Sequence, residues 1–163
     1  MTASEAPRYG VIPLLKTQRE LVKHHNALDT KILVYRGGYR SGKTVGLVAK
    51  ALDLGARCWP HPILAMEPTY PMVRDVFVKT ALYWMRQWGF DPHWYVSKKT
   101  LVVRGRWPIE ILCRSADARE AVEGLTVGAL IADEWELYDV DILKTGMARV
   151  SVGKPETQQI VLG

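Results

Sequence analysis

Residues 34–44 read Val34-Tyr35-Arg36-Gly37-Gly38-Tyr39-Arg40-Ser41-Gly42-Lys43-Thr44. From Gly37 to Thr44 this satisfies the G-x-x-x-x-G-K-[ST] phosphate-loop pattern in full. Gly37, Gly38 and Gly42 allow a tight turn whose amides, with those of Tyr39, Arg40 and Ser41, can face phosphate oxygens. Lys43 is the group that neutralises β- and γ-phosphate charge, and Thr44 offers a hydroxyl to Mg²⁺. The flanks supply the context this chemistry needs. Lys31-Ile32-Leu33-Val34-Tyr35 is an apolar run suited to a buried strand, and Val45, Val48, Ala51, Leu52 and Gly55 recur at helical spacing. A helix starting here would add its positive N-terminal end to the anion site.

The second decisive stretch is Val127-Gly128-Ala129-Leu130-Ile131-Ala132-Asp133-Glu134. An apolar strand here delivers two adjacent carboxylates at its C-terminal end, where open α/β sheets bind ligands. Asp133 would hold Mg²⁺, directly or through water, and Glu134 would orient and deprotonate an attacking water. ATP and Mg²⁺ are therefore the expected cofactors, and 1–163 reads as one P-loop nucleotide-binding domain.

Composition sets the outer bounds. The 163 residues are 48% hydrophobic and 24% charged, ordinary for a globular domain. No run of about 18 apolar residues is present to span a membrane, and the first residues lack the apolar core of a signal peptide. The net charge of +5, from 22 basic and 17 acidic residues, permits a polyanionic partner without requiring one. Cys58 and Cys113 have neither zinc nor redox spacing and read as reduced core residues. The four histidines show no metal-ligand spacing.

Between the two motifs the chain alternates. Residues 1–12 read as a flexible lead-in, followed by a helix from Pro13 or Thr17 to about Asn26. Gln18 on that helix reads either as an adenine-edge partner, since an amide has the donor and acceptor required, or as a solvated glutamine. Ile63-Leu64-Ala65-Met66 reads as a second strand. A helix over 72–88 should bury Val73, Val76, Phe77, Ala81, Trp84, Met85 and Trp88 on one face and end at Gly89. Residues 94–96, 100–103 and 109–113 read as strands joined by hairpin turns, with Lys98, Lys99, Arg104 and Arg106 either solvating the turns or touching a phosphate backbone. A short helical piece over 118–122, a helix over 135–150 and a strand over 158–163 complete the chain. Stopping on such a strand suggests a domain cut from a longer protein.

Together these stretches resemble the ATPase domain of the large terminase subunit, the DNA-packaging motor of tailed bacteriophages. The likeness covers nearly the whole chain. It rests on Gln18, the loop with its internal Arg40, Glu67-Pro68-Thr69-Tyr70, and Ser115-Ala116-Asp117 with Glu123-Gly124-Leu125-Thr126, then Ala132-Asp133-Glu134. The resemblance implies an α/β fold: a mostly parallel sheet flanked by helices, RecA-like. In it an additional strand separates the phosphate loop from the acidic strand and its catalytic glutamate. It implies Mg-dependent ATP hydrolysis driving double-stranded DNA into a procapsid. Subunits would form a ring on a portal protein, served by a small terminase subunit, in the host cytoplasm.

The family's γ-phosphate-sensing coupling motif would begin at Gly163, and its nuclease domain would follow; neither is in this sequence. Many members carry arginine directly before the glycine matching Gly124, where this chain has Glu123. Arg40 acting in cis or Arg119 offered in trans to a neighbour reads as the catalytic arginine, or both read as ordinary surface residues. Three other classes share the phosphate loop: a DNA helicase or other translocase, a small-molecule kinase, and a binding-only nucleotide switch.

Overall fold

The computed structural model describes residues 12–24, 31–38 and 40–163. The lead-in up to residue 11, the expected helix end near Asn26, His25 and the loop residue Tyr39 lie outside them. The elements run α1 (Lys16–Lys23), β1 (Ile32–Val34), α2 (Lys43–Cys58), β2 (Ile63–Glu67) and a helix α3 over 70–87. Then follow β3 (Asp91–Tyr95), β4 (Thr100–Arg104), β5 (Ile109–Ser115), β6 (Ala129–Ala132), α4 (Val140–Ala148) and β7 (Ile160–Leu162).

The strands form one sheet in the order β1-β7-β6-β2-β5-β4-β3. The five from β1 to β5 in this order are mutually parallel, while β4 runs antiparallel to both β5 and β3. Parallel strands need both faces covered, and the burial pattern shows it. Ile63 and Ala65 of β2, with Ala129 and Ile131 of β6, join the core under α2 and α3. The alternate residues Leu64, Met66, Leu130 and Ala132 pack on the other side with Tyr138, Ile142, Leu143 and Met147. Each fully buried leucine, isoleucine or valine here contributes roughly 1.5–3 kcal/mol.

β7 sits between β1 and β6, pairing Ile32 with Ile160 on one edge and Leu130 with Ile160 on the other. This is the additional strand of the expected fold class, and it is interior as its apolar sequence indicated. β1 differs from expectation. Among the described residues it is the sheet edge, so Ile32 and Val34 are each 47% exposed instead of buried.

α3 carries a π-helical stretch, Val73–Val78, between α-helical turns Tyr70–Met72 and Lys79–Gln87. The wider turn shifts the phase of the buried stripe. Val73, Phe77, Val78, Ala81, Met85 and Trp88 are buried, whereas Val76, expected on the buried face, points outward. The helix ends at Gly89 (φ 84°), where Phe90 N–H reaches Met85 O and Gly89 N–H reaches Arg86 O, a Schellman closure.

The expected helix over 135–150 is broken. Trp135–Leu137 is a 3₁₀ turn, Tyr138 is extended, and α4 restarts behind Asp139, whose carboxylate caps the N–H of Asp141. Among the described residues no helix is long and apolar enough to cross a membrane.

Candidate active site

β1 runs into the glycine loop and α2 begins at Lys43, so the loop stands at the C-terminal end of the sheet. Gly42, the residue before α2, has φ 77°, the left-handed region that glycine enters without strain. A Cβ there would also meet Gln18 Nε2 at 2.8 Å. A Cβ on Gly37 would strike the Ser41 side chain, whose buried Oγ has no hydrogen-bond partner among the described residues. Arg40 adopts φ 60°, and Glu134 φ 50°. Left-handed non-glycine residues are uncommon; of the three described, one lies in the loop, one in the acidic pair and the third, Lys99, in the turn between β3 and β4.

β6 ends at Ala132 and releases Asp133 and Glu134 toward the start of α2. Thr44 Oγ1 donates to Asp133 Oδ2 at 2.8 Å. Lys43 Nζ lies 3.0 Å from Glu134 Oε1 and 3.5 Å from Asp133 Oδ1. Burial pulls the Lys43 ammonium down. The hydrogen bond to Glu134 and the two carboxylate charges outweigh it, leaving the pKa above the ordinary lysine value. Asp133 is fixed from three sides: its Oδ1 accepts the Glu134 N–H, its N–H reaches Met66 O, and its carbonyl accepts the Tyr138 hydroxyl at 2.8 Å. Burial, with the Glu67, Asp133 and Glu134 charges, pushes the Tyr138 phenol well above its usual range. Tyr138 therefore stays a donor that anchors Asp133.

A hydroxyl and a carboxylate converging beside a phosphate loop are hard oxygen donors, the set that suits Mg²⁺. Among the described residues no three His, Cys, Asp or Glu side chains are grouped to hold a metal by themselves.

Gln18 is buried against the loop. Its Oε1 accepts the Leu15 N–H and its Nε2 donates to Gly42 O, both at 2.9 Å. Its amide thus braces the loop and closes the first turn of α1. Arg119 lies outside the cluster, on the 3₁₀ turn Arg119–Ala121, and pairs at the surface with Glu123 at 2.8 Å. Lys99 stacks over the Tyr70 ring and Arg106 over Trp107, while Arg104 contacts His93. Cys58 and Cys113 are buried free thiols, raised by burial to about 11 and about 12.

Two residues of consequence carried no role in the sequence reading. Glu67 ends β2 with 1% exposure, and neither carboxyl oxygen has a partner among the described residues. Burial, then the neighbouring Asp133 and Glu134 charges, lift its pKa to about 9. It entered the sequence reading only as the first residue of Glu67-Pro68-Thr69-Tyr70 and as an acid closing an otherwise apolar strand, with no chemical role. Lys50 is fully buried in α2, donating to His24 O at 2.7 Å and Val22 O at 3.4 Å beside Asp53 at 3.3 Å. Burial lowers its pKa.

A glycine loop that follows one strand, with its lysine opening the next helix, and an acidic pair two strands away across an interposed strand define the additional-strand class of P-loop NTPase fold. Within that class the chain has the fold of the ATPase domain of phage large terminases. The large terminase of a thermophilic bacteriophage in complex with ATP-gamma-S superimposes with TM-score 0.76 at 16% identity over 92% of this chain. The HK97 bacteriophage large terminase does so with TM-score 0.69 at 16% identity over 93%. The Thermus phage P74-26 large terminase ATPase domain gives 0.52 at 19% identity over 88% of this chain and 66% of that one. The chain spans 37% of the length of the ATP-gamma-S-bound terminase and 33% of the HK97 one. No protein-family model matches the sequence, and no curated protein matches it.

Proposed function

We propose that this chain is a Mg-dependent ATPase domain that powers the packaging of double-stranded viral DNA. The observation that carries the proposal is the convergence of Lys43, Thr44, Asp133 and Glu134 within hydrogen-bonding reach of one another at the mouth of the phosphate loop. The likeness to terminases, including the thermophilic phage enzyme in complex with ADP, supports the packaging part of the reading.

The residues divide the work by chemistry. Loop amides and Lys43 take up the charge that develops on the phosphates. Thr44 and Asp133 would hold Mg²⁺, which would supply positive charge to offset that of the phosphates. Glu134, 43% exposed at its side chain, remains open to an incoming water. It accepts a proton as the water oxygen bonds to the γ-phosphorus; the bond to the β–γ bridging oxygen breaks, and ADP leaves with that electron pair. The arginine that stabilises this charge is Arg40 in cis or Arg119 in trans. The described loop residues would line the nucleotide, with Gln18 bracing the loop behind them. DNA, a ring of like subunits on a portal, and a small terminase subunit are the partners the reading implies.

The decisive experiment is titration of the purified chain with ATP and Mg²⁺, with phosphate release followed in the absence of any acceptor. Binding lost in Lys43→Ala, with free phosphate produced by the unaltered protein, supports the reading. Phosphate appearing only on an added small-molecule acceptor would replace it with a kinase.

A further inference from the structure

Register and pleat place Glu67 beside the acidic pair. β2 and β6 are parallel with Met66 opposite Ala132, so Glu67 and Asp133 are the next residues along neighbouring strands. Such strands lie about 4.8 Å apart. Alternation sends both side chains to the same face. Ile63 and Ala65 lie in the core under α2 while Leu64 and Met66 lie in the opposite one, so Glu67 projects toward α2. Along β6, Ala129 and Ile131 precede Asp133 on that side. The charged groups that act on Glu67 are Asp133, Glu134 and Lys43. Its two oxygens are nonetheless buried and unpartnered among the described residues. A buried carboxyl without partners is destabilising, and such a group aimed at a ligand site is the arrangement expected where the ligand completes it.

We propose that Glu67 is a positioning residue that holds, through water in its hydration shell, the divalent cation carried by Thr44 and Asp133. The proposal rests on the ATPase reading. Mg²⁺ parts with its waters reluctantly and usually keeps several. A carboxylate one strand beyond the ligating aspartate can accept hydrogen bonds from those waters, orienting the shell as outer-sphere partners do at other metal sites. Direct ligation by Glu67 is not invoked.

The test is Mn²⁺ binding measured by electron paramagnetic resonance on the 163-residue chain saturated with ATP-gamma-S. Unaltered protein is compared with Glu67→Gln, Glu67→Ala and Asp133→Asn, and nucleotide affinity is measured in parallel in EDTA. Removing outer-sphere partners typically weakens metal affinity about 10–100-fold. Glu67→Ala is expected to lose about tenfold in Mn²⁺ affinity, with Glu67→Gln between it and the unaltered protein, and nucleotide affinity in EDTA unchanged. Glu67→Gln keeps the shape of the side chain and serves if the alanine variant does not fold. Mn²⁺ affinity within about twofold of unaltered protein in the Glu67 variants, with Asp133→Asn defective, overturns the proposal and leaves the ATPase reading intact. Absence of nucleotide-dependent Mn²⁺ binding in unaltered protein overturns both.

Discussion

Lys43 Nζ lies 3.0 Å from Glu134 Oε1, so the lysine of the phosphate-loop pattern is paired with the carboxylate proposed to activate water. In the proposed reaction Lys43 turns to phosphate and Glu134 to the water. Glu134→Gln is therefore expected to bind ATP and Mg²⁺ at least as well as the unaltered protein. Hydrolysis should fall on the order of 10²–10⁴-fold, the usual effect of removing a general base. Calorimetry and single-turnover phosphate release read the two effects separately. Near-normal turnover would remove Glu134 from its role.

Glu67 makes apo stability depend on pH in a direction opposite to most carboxylates. Its folded pKa of about 9 lies above the ordinary value of 4.5, so the folded state keeps a proton that the unfolded chain releases. Stability falls as pH rises from about 4.5 to about 9 and levels off beyond. Glu67→Gln should flatten that slope and stabilise the nucleotide-free protein at pH 9 by about 2–5 kcal/mol. Urea unfolding at about pH 5, 7 and 9, spanning that window, decides. Parallel curves for the two proteins would show that Glu67 does not control the slope.

Lys50 fastens α1 to α2 by capping the carbonyls of Val22 and His24. Lys50→Met keeps the volume and removes the donors, leaving those acceptors unsatisfied at a cost of about 1–3 kcal/mol. Because Gln18 braces Gly42 from α1, amide exchange in α1 should quicken before global unfolding does. Unchanged exchange there would mean that α1 is held by its apolar face alone.

Arg119 and Glu123 form a surface pair worth about 0–1 kcal/mol, readily given up to a stronger partner. In assembled rings, mixing Arg119→Ala subunits with Glu134→Gln subunits should restore some ATPase at mixed boundaries. Arg40→Ala, if it acts in cis, should not be rescued. Phosphate release from the mixtures checks this, and no recovery in either would leave the trans role without support.

The loop and the acidic strand were legible because their chemistry is local: a glycine turn, a lysine and two adjacent carboxylates are written consecutively. The interior position of β7 was legible from its apolar run, its place beside β1 only through the family resemblance. Elsewhere the missing information was tertiary. Leu137 and Val140 imitate a helical stripe yet stand 67% and 62% exposed, because Asp139 restarts the helix between them. Val76 fell to a change of helical pitch. Ile32 and Val34 look like core, but an edge strand keeps one side open. The roles of Glu67 and Lys50 exist only once β2 meets β6 and α1 meets α2.

The interposed strand also fixes when this site can come into being. Among the described residues Ile32 has no other sheet partner than Ile160, and Leu33 and Val34 wait likewise for Val161 and Leu162. The strand leading into the phosphate loop is thus translated early but docked by a strand far along the chain, Ile32 by Ile160. Pairings so distant along the chain form slowly. β2, β5 and β6 can assemble on a growing chain while the loop still lacks its sheet. During synthesis, nucleotide binding should therefore wait until β7 has been made.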